Sequence, residues 1–453
     1  MPTFHDCLPI PLTPFEQYMV ADDRIRHPMT FFVQLEFSGE IDVSAFEGAV
    51  SEVLSRHPLL GAKVQRSFWR VPRWESMDAP RPTVDWGTLE EPIECAEGEY
   101  INLRKEVGFR IWGRIGPDRI VFTSQFHHAC CDGVGAFQFW GDLLAAYGVL
   151  VGQEPLPLKR TIRGELLRGR QQLRRGARVK PRLVRKVGLL SPGGRVRESL
   201  RALSEWPIPL RLPENPMPSD GLPGICCRRV PLAPLRSVAK SLGVTLNDLL
   251  LRDLFLALGA WETGSKRCSE RSWRRITMPT NLRGPQDRNC PVTNILGYAF
   301  ITRRHAACQK PDELLEGIHR DTQAIKAWDL GAYFPAALAS VSRIKGAMSL
   351  FASSRRCLST AVLSNLGDPT RRFVARLPRQ DGKVCAGNMK LERMLSAPPL
   401  RPRTHAAFLA LTYRDELTIC VRCNPHVFSE SVSGELLDGY LQQLEVTAQK
   451  VSP

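Results

Sequence analysis

No stretch of this chain holds the roughly 18 uninterrupted apolar residues that a membrane-spanning helix requires, so no crossing helix is expected. The N-terminus, Met1-Pro2-Thr3-Phe4-His5-Asp6-Cys7, lacks the charged region and long apolar run of a secretory leader, which points to the cytoplasm. Missing as well is the even cysteine framework of a small secreted domain. The 13 cysteines are scattered, some as neighbours (Cys130-Cys131, Cys226-Cys227), and read as reduced thiols. Structural zinc usually needs two knuckle-like pairs. Here Cys420-Val421-Arg422-Cys423, followed by His426, has no second CxxC to join, and the alternation of Leu417, Ile419 and Val421 places it in a strand. No bound metal or cofactor is expected.

The chain has charge, but not evenly. Its net charge is +16, and the segment Lys159 to Arg201 alone holds 15 Lys or Arg against two acids. The basicity is therefore local and says little about fold. No aromatic residues interleave it and no recognised nucleic-acid motif accompanies it, so nucleic acid is not an expected partner. Three readings of the segment stay open. It is a solvated linker, a stripe resting on anionic lipid, or an attractor for the phosphates of coenzyme A or an acidic carrier protein.

What is present is a globular composition: 453 residues with 43% hydrophobic content, enough for two domains or two fused halves. The boundaries read as residues 1–155, a basic linker 156–215, and 216–453. Strands are predicted at Thr30 to Phe37, Ile120 to Phe126, Arg274 to Met278 and Val292 to Thr302, then at Thr360 to Ser364. His405 to Thr412 and Glu416 to Cys423 form a hairpin. Asp42 caps a helix that stops before Pro58, and Thr245 caps another running to about Trp261. Further helices are predicted after Gly133, near Pro311 to Trp328, from Pro335 to Phe351, and from Ser429 to Ala448. Strands and helices mix in both halves. The class is α/β.

The chemistry sits in His127-His128-Ala129-Cys130-Cys131-Asp132-Gly133. A histidine at a strand end, before a helix, suits a general base because its ordinary pKa lies near neutrality. Adjacent residues of an extended segment point to opposite sides, so only one of the two histidines faces a given cleft. The Asp132 carboxylate can brace the loop, and Gly133 admits a tight helix start. The bland alternative is a buried histidine pair at a strand end. Two histidines, an aspartate and a glycine at this spacing arise by chance on the order of once in a thousand such chains, given usual residue frequencies.

His-His-x-x-x-Asp-Gly resembles the signature of an acyltransferase superfamily. Its members include nonribosomal-peptide condensation domains, bacterial wax ester synthase/diacylglycerol acyltransferases and alcohol acetyltransferases. Other stretches are similar in the same order: Pro11 to Glu16, Leu54 to Leu60, Gly243 to Asp248, Pro279 to Arg283, and Ser364 to Gly367. The resemblance implies two chloramphenicol-acetyltransferase-like halves, forming a V-shaped pseudo-dimer with a cleft and tunnel between them. It implies His128 as the base that deprotonates an alcohol or amine for attack on an acyl thioester, in a ternary complex without an acyl-enzyme. Acyl-CoA is the expected donor substrate and an acyl carrier protein the alternative one. Support falls to His127, Asp132, Gly133 and Arg283, with Arg283 as partner of Asp132. Asn247, Asn281, Ser364 and Asn365 are the tunnel candidates. The acceptor is a small molecule or lipid, and membrane contact would run through 159–201. Two alternatives stand beside this reading: a free-standing condensation-type domain served by a carrier protein, including epimerisation or cyclisation of a carrier-bound peptide, and a non-catalytic member of the fold.

Overall fold

Two mixed sheets organise the computed structural model, which describes residues 7–65, 71–77, 82–94, 96–170, 204–217, 225–262, 268–354 and 356–450. A seven-stranded sheet runs in the order Arg379–Gln380, Lys383–Ala386, Met389–Ala397, Thr30–Ser38, Ile120–His127, Phe109–Ile115 and Val84–Thr88. A six-stranded sheet runs Leu296–Arg304, Trp273–Asn281, Ala361–Gly367, Ala406–Tyr413, Glu416–Cys423 and Ile225–Pro231. Three strands between 379 and 397, for which the sequence offered no pattern, leave the C-terminal part of the chain to extend the sheet of the N-terminal part. Met389–Ala397 pairs antiparallel with Thr30–Ser38.

Both faces of the strand Ile120–His127 are covered, so all eight of its residues are buried. Its polar members are paired within the core. Ser124 donates to the Val33 carbonyl and accepts from the Trp140 indole at 3.0 Å, and the Gln125 amide donates to Glu99 O. Above this sheet lie the helices Val43–Arg56 and Gly133–Leu150. Asp42 caps the first by accepting from Ala45 N at 2.8 Å, and the helix ends at His57 because Pro58 follows. Phe46 stacks on Phe122, their ring centres 4.3 Å apart, and Trp140 packs on Phe122 from the second helix. A second core, under the six-stranded sheet, joins Phe255, Ile276, Phe408 and Tyr440.

Two expectations need correction. The strand predicted from Val292 begins only at Leu296, because residues 292–295 turn their backbone groups toward the N-terminal elements. The helix predicted from Pro335 to Phe351 is two helices, Tyr333–Val341 and Ala347–Ser353. Gly346 separates them with φ of 78°, a left-handed conformation that ends helical continuation.

The short motif around His57 has a structural role. His57 Nε2 lies 2.9 Å from Asp142 Oδ2, and Val292 N donates to Nδ1 at 3.1 Å. This neutral imidazole therefore pins the loop before Leu296 to the helix Gly133–Leu150. Glu16 does similar work: it completes a capping box with Thr13 and accepts two bonds of 2.8 Å from Arg170. Arg160 also turns inward, donating to the Arg288 and Cys290 carbonyls. These two cations of the basic segment are thus buried structural groups rather than a solvated or lipid-facing stripe. Within the basic segment, residues 164–169 form a short 3-10 helix, and positions from 171 to 203 lie outside the described residues.

Candidate active site

The strand Ile120–His127 delivers the two histidines to the sheet's end, where the chain turns and Asp132 starts the next helix. His127 and His128 separate as extended geometry requires. His127 Nδ1 accepts from Ala129 N at 3.1 Å, and its Nε2 sits 3.4 Å from Asp23 Oδ2, packed away inside the N-terminal elements. His128 instead lines a cavity, with its ring 5.2 Å from that of Phe31.

The imidazole lies within reach of its own backbone carbonyl. The same carbonyl accepts from Asn294 Nδ2 at 2.7 Å, and that amide stands 3.4 Å from His128 Nδ1. Burial lowers the imidazole's pKa below its ordinary 6.5, outweighing its own carbonyl and the Asp132 charge. His128 is consequently neutral at physiological pH, the form a base needs.

Asp132 is oriented away from His128. Its Oδ1 caps the helix Gly133–Leu150 by accepting from Gly135 N at 2.8 Å. Its Oδ2 takes Arg283 Nη1 at 2.7 Å and Ile295 N at 2.9 Å. Burial by itself would raise this carboxyl's pKa, but the Arg283 guanidinium and the two backbone donors outweigh it and hold it below 3.8. Arg283 Nη2 continues to Thr293 O at 2.7 Å. One buried carboxylate thus joins the histidine loop to the segment 283–295. Gly133 matters for space rather than for a left-handed backbone: a Cβ there would stand 3.2 Å from the Leu366 side chain.

Of the remaining candidates, Asn281, Ser364 and Asn365 line the cavity. Asn281 Oδ1 accepts from Arg283 N, tying that wall to the Asp132 pair. Asn365 sits at a bulge in which Gly367 has φ of 62°, and it accepts from Gly367 N. Asn247 is not on the wall. It braces Asn365, whose Nδ2 donates to Asn247 Oδ1 at 3.2 Å. The rest of the lining is largely apolar and aromatic, with Met29, Phe31, Tyr298, Phe300 and Phe334 prominent. Burial pushes the Cys130 and Cys131 thiols well above their ordinary pKa, so both are neutral and unsuited to nucleophilic attack. Among the described residues no group of three or more His, Cys, Asp or Glu could hold a metal ion, and no helix is long and apolar enough to cross a membrane.

Asn294 is the residue that sequence reasoning missed. It stands in the stretch read as strand, and no motif marks it. As a positioning residue it carries a prediction: Asn294→Ala should lower kcat about tenfold, the worth of one buried hydrogen bond, with KM within about twofold. Asn294→Asp should not restore the rate, because a carboxylate has no N–H to donate. Unchanged kcat in both variants would remove Asn294 from the site.

No protein-family model matches the chain. Nearly the whole chain, however, superposes on solved structures. It matches the first condensation domain of the calcium-dependent antibiotic synthetase with a TM-score of 0.67 at 14% identity, covering 98% of this chain and 97% of that one. The chain has the condensation-domain fold. A starter condensation domain of rhizomide synthetase RzmA, solved with C8-CoA, gives a TM-score of 0.65 at 14% identity, covering 97% and 95%. Trichothecene 15-O-acetyltransferase TRI3 from Fusarium sporotrichioides gives 0.67 at 13%, covering 96% and 93%. The fold is thus similar both to condensation domains and to an acetyltransferase.

Among curated proteins, 152 residues are 29% identical to the isonitrile lipopeptide synthase of Mycobacterium tuberculosis, covering 30% of this chain and 6% of that protein. A stretch of 135 residues is 26% identical to a probable non-canonical nonribosomal peptide synthetase, CymA, of Salinispora arenicola, covering 28% of this chain and 2% of that protein. The match therefore spans well under a tenth of these curated relatives.

Proposed function

We propose that this protein transfers an acyl group from a thioester to an alcohol or amine, with His128 Nε2 as the general base. The observation that carries this reading is a neutral imidazole held by its own carbonyl and by Asn294, facing a cavity lined mainly by apolar side chains. The base removes the acceptor's proton as the oxygen or nitrogen attacks the thioester carbonyl. The tetrahedral intermediate then collapses, and the thiolate leaves with the proton that His128 returns. Both substrates meet in one cavity, so proximity replaces a covalent enzyme intermediate. Asp132 and Arg283 act on the frame: they lock the histidine loop against the segment that supplies Asn294.

Acyl-CoA is the favoured donor, and His127 and Gly133 are assigned to the motif's architecture. The second reading, a condensation-type reaction on a carrier-bound thioester, draws on the two curated relatives, one named a lipopeptide synthase and the other a probable nonribosomal peptide synthetase. Parallel assays with octanoyl-CoA and with an octanoyl-loaded carrier protein separate the two. Product from the CoA thioester alone supports the first, and product only from the loaded carrier replaces it with the second.

The histidine's lowered pKa sets the pH dependence. Only neutral His128 accepts a proton, so kcat/KM should hold steady as pH falls past 6.5 and decline only below it, on an acid limb displaced downward from the ordinary imidazole value. A profile over roughly pH 4 to 9 checks this. An acid limb centred above 6.5 would contradict a buried, neutral base.

A further inference from the structure

Two cysteine motifs, Cys226-Cys227 and Cys420-Val421-Arg422-Cys423, play no part in the proposed chemistry, and the fold brings them together. The strands Ile225–Pro231 and Glu416–Cys423 are antiparallel neighbours in the six-stranded sheet, and their register sets Cys227 directly opposite Cys420. Strand alternation removes the other two thiols: Cys226 and Cys423 join the core on the sheet's opposite face. Opposed residues of an antiparallel pair have Cα atoms about 4.5 or 5.5 Å apart, and both spacings fall within the range of about 4.4–6.8 Å that a disulfide spans. Both Cys227 and Cys420 are free thiols.

Reactivity and access both favour this pair. Contact with Cys420, ahead of burial, pushes the Cys227 thiol well above its ordinary pKa, so the two sulfurs interact directly. At Cys130 and Cys131 burial is the leading cause instead. For touching thiols the rise belongs to the second proton, whose loss would set two negative sulfurs face to face. A first thiolate is stabilised by the S–H that remains beside it. Access is unequal. Cys227 lies on an edge strand, is half-buried and lines a surface pocket with Arg228 and Arg393, whereas Cys420 is buried. The pair also adjoins the cavity that holds His128. One row across the sheet runs from Ser364 to Leu409, then Cys420, then Cys227, and its first two members line that cavity.

We propose that Cys227 and Cys420 are a redox modification site, in which hydrogen peroxide oxidises Cys227 and Cys420 closes a disulfide that fastens the edge strand beside the cavity wall. The proposal is independent of the reaction the cavity performs. In the first step the Cys227 sulfur attacks one peroxide oxygen, the O–O bond breaks, and the thiol proton departs in water, leaving a sulfenic acid. The Cys420 sulfur then attacks the Cys227 sulfur, the S–O bond breaks, and a second water carries away the Cys420 proton. Two thiols lose two electrons in all, and one peroxide accepts them in becoming two waters.

Peptide mapping of the full chain, treated with hydrogen peroxide and then alkylated, tests the site. Tandem mass spectrometry should find a peptide linking Cys227 to Cys420, about 2 Da lighter than its two thiol parts and separated again by dithiothreitol. Amide exchange over 225–231 should slow about tenfold or more in the linked form, because the edge strand can no longer open freely. Cys420→Ser should trap the sulfenic acid on Cys227, where dimedone labels it, and Cys227→Ser should leave Cys420 unlabelled.

Absence of the linked peptide, or a link through Cys226 or Cys423 in its place, would overturn the proposal. So would dimedone on Cys420 in Cys227→Ser, or unchanged exchange in the linked form. Mapping on the parent chain decides the site even where a variant fails to fold.

Discussion

Replacing His128 with alanine should lower turnover about a hundred- to ten-thousandfold, the range that one general base contributes. The variant should still fold, because the ring's own partners are few. His128 N keeps its bond to Met29 O at 2.7 Å, and Asn294 keeps the residue 128 carbonyl, since both contacts are made by or to backbone atoms. The ring contact with Phe31 is lost, so a modest fall in melting temperature is expected. His127→Gln provides the contrast. That imidazole lies inside the N-terminal elements beside Asp23, so its loss should fall on stability more than on the chemical step. Circular dichroism and steady-state kinetics on the two variants check the division. Equal rate loss in both would undo the assignment of one histidine to chemistry and the other to structure.

Asp132→Ala should behave in the opposite way, destabilising the protein by about 3–5 kcal/mol, the usual consequence of stranding one member of a buried ion pair. The Arg283 side chain is only 10% exposed and would retain Thr293 O and Asn281 Oδ1 while losing its counter-charge. Ile295 N and Gly135 N would lose their acceptor as well, and the helix Gly133–Leu150 its cap. Activity should fall too, because segment 283–295 carries Asn294. Urea unfolding of parent and variant measures the difference, and parent-like stability with only a rate defect would contradict the structural role. The pH sign follows from the carboxyl's lowered pKa. Its stabilisation is complete above about 3.8 and disappears as pH falls through the lower folded value, so parent and variant should converge in strong acid.

Much of this was legible in the sequence because it depends on short-range chemistry. Asp42 and Thr245 announce helix starts through their capping side chains, and Pro58 announces a stop, and the structure has each where the local rule puts it. The double histidine, Asp132 and Gly133 are readable because a strand end, a cap and a tight helix start lie within seven residues. What escaped was long-range. The strands between 379 and 397 join a sheet formed more than 250 residues earlier in the chain, a pairing that no local pattern encodes. Residues 292–295 read as strand because Val292, Thr293 and Ile295 are β-branched and precede one. Their amides instead serve His57 and Asp132, partners 235 and 163 residues away. Asn294 was invisible for the same reason: it gains meaning from what tertiary packing sets beside it. The basic segment misled in another way, since Arg160 and Arg170 look like surface charge until Asp142 and Glu16 are found against them.

The most direct test of the central claim is product detection by mass spectrometry. Parent protein and His128→Ala would each be incubated with short-, medium- and long-chain acyl-CoA and with octanoyl-loaded carrier protein, plus pooled alcohols and amines. An ester or amide formed by the parent and lost in the variant is the predicted result, and it would identify both substrates at once. Equal product from both proteins would remove His128 as the base, and no product from any donor would contradict the assignment of acyl transfer itself.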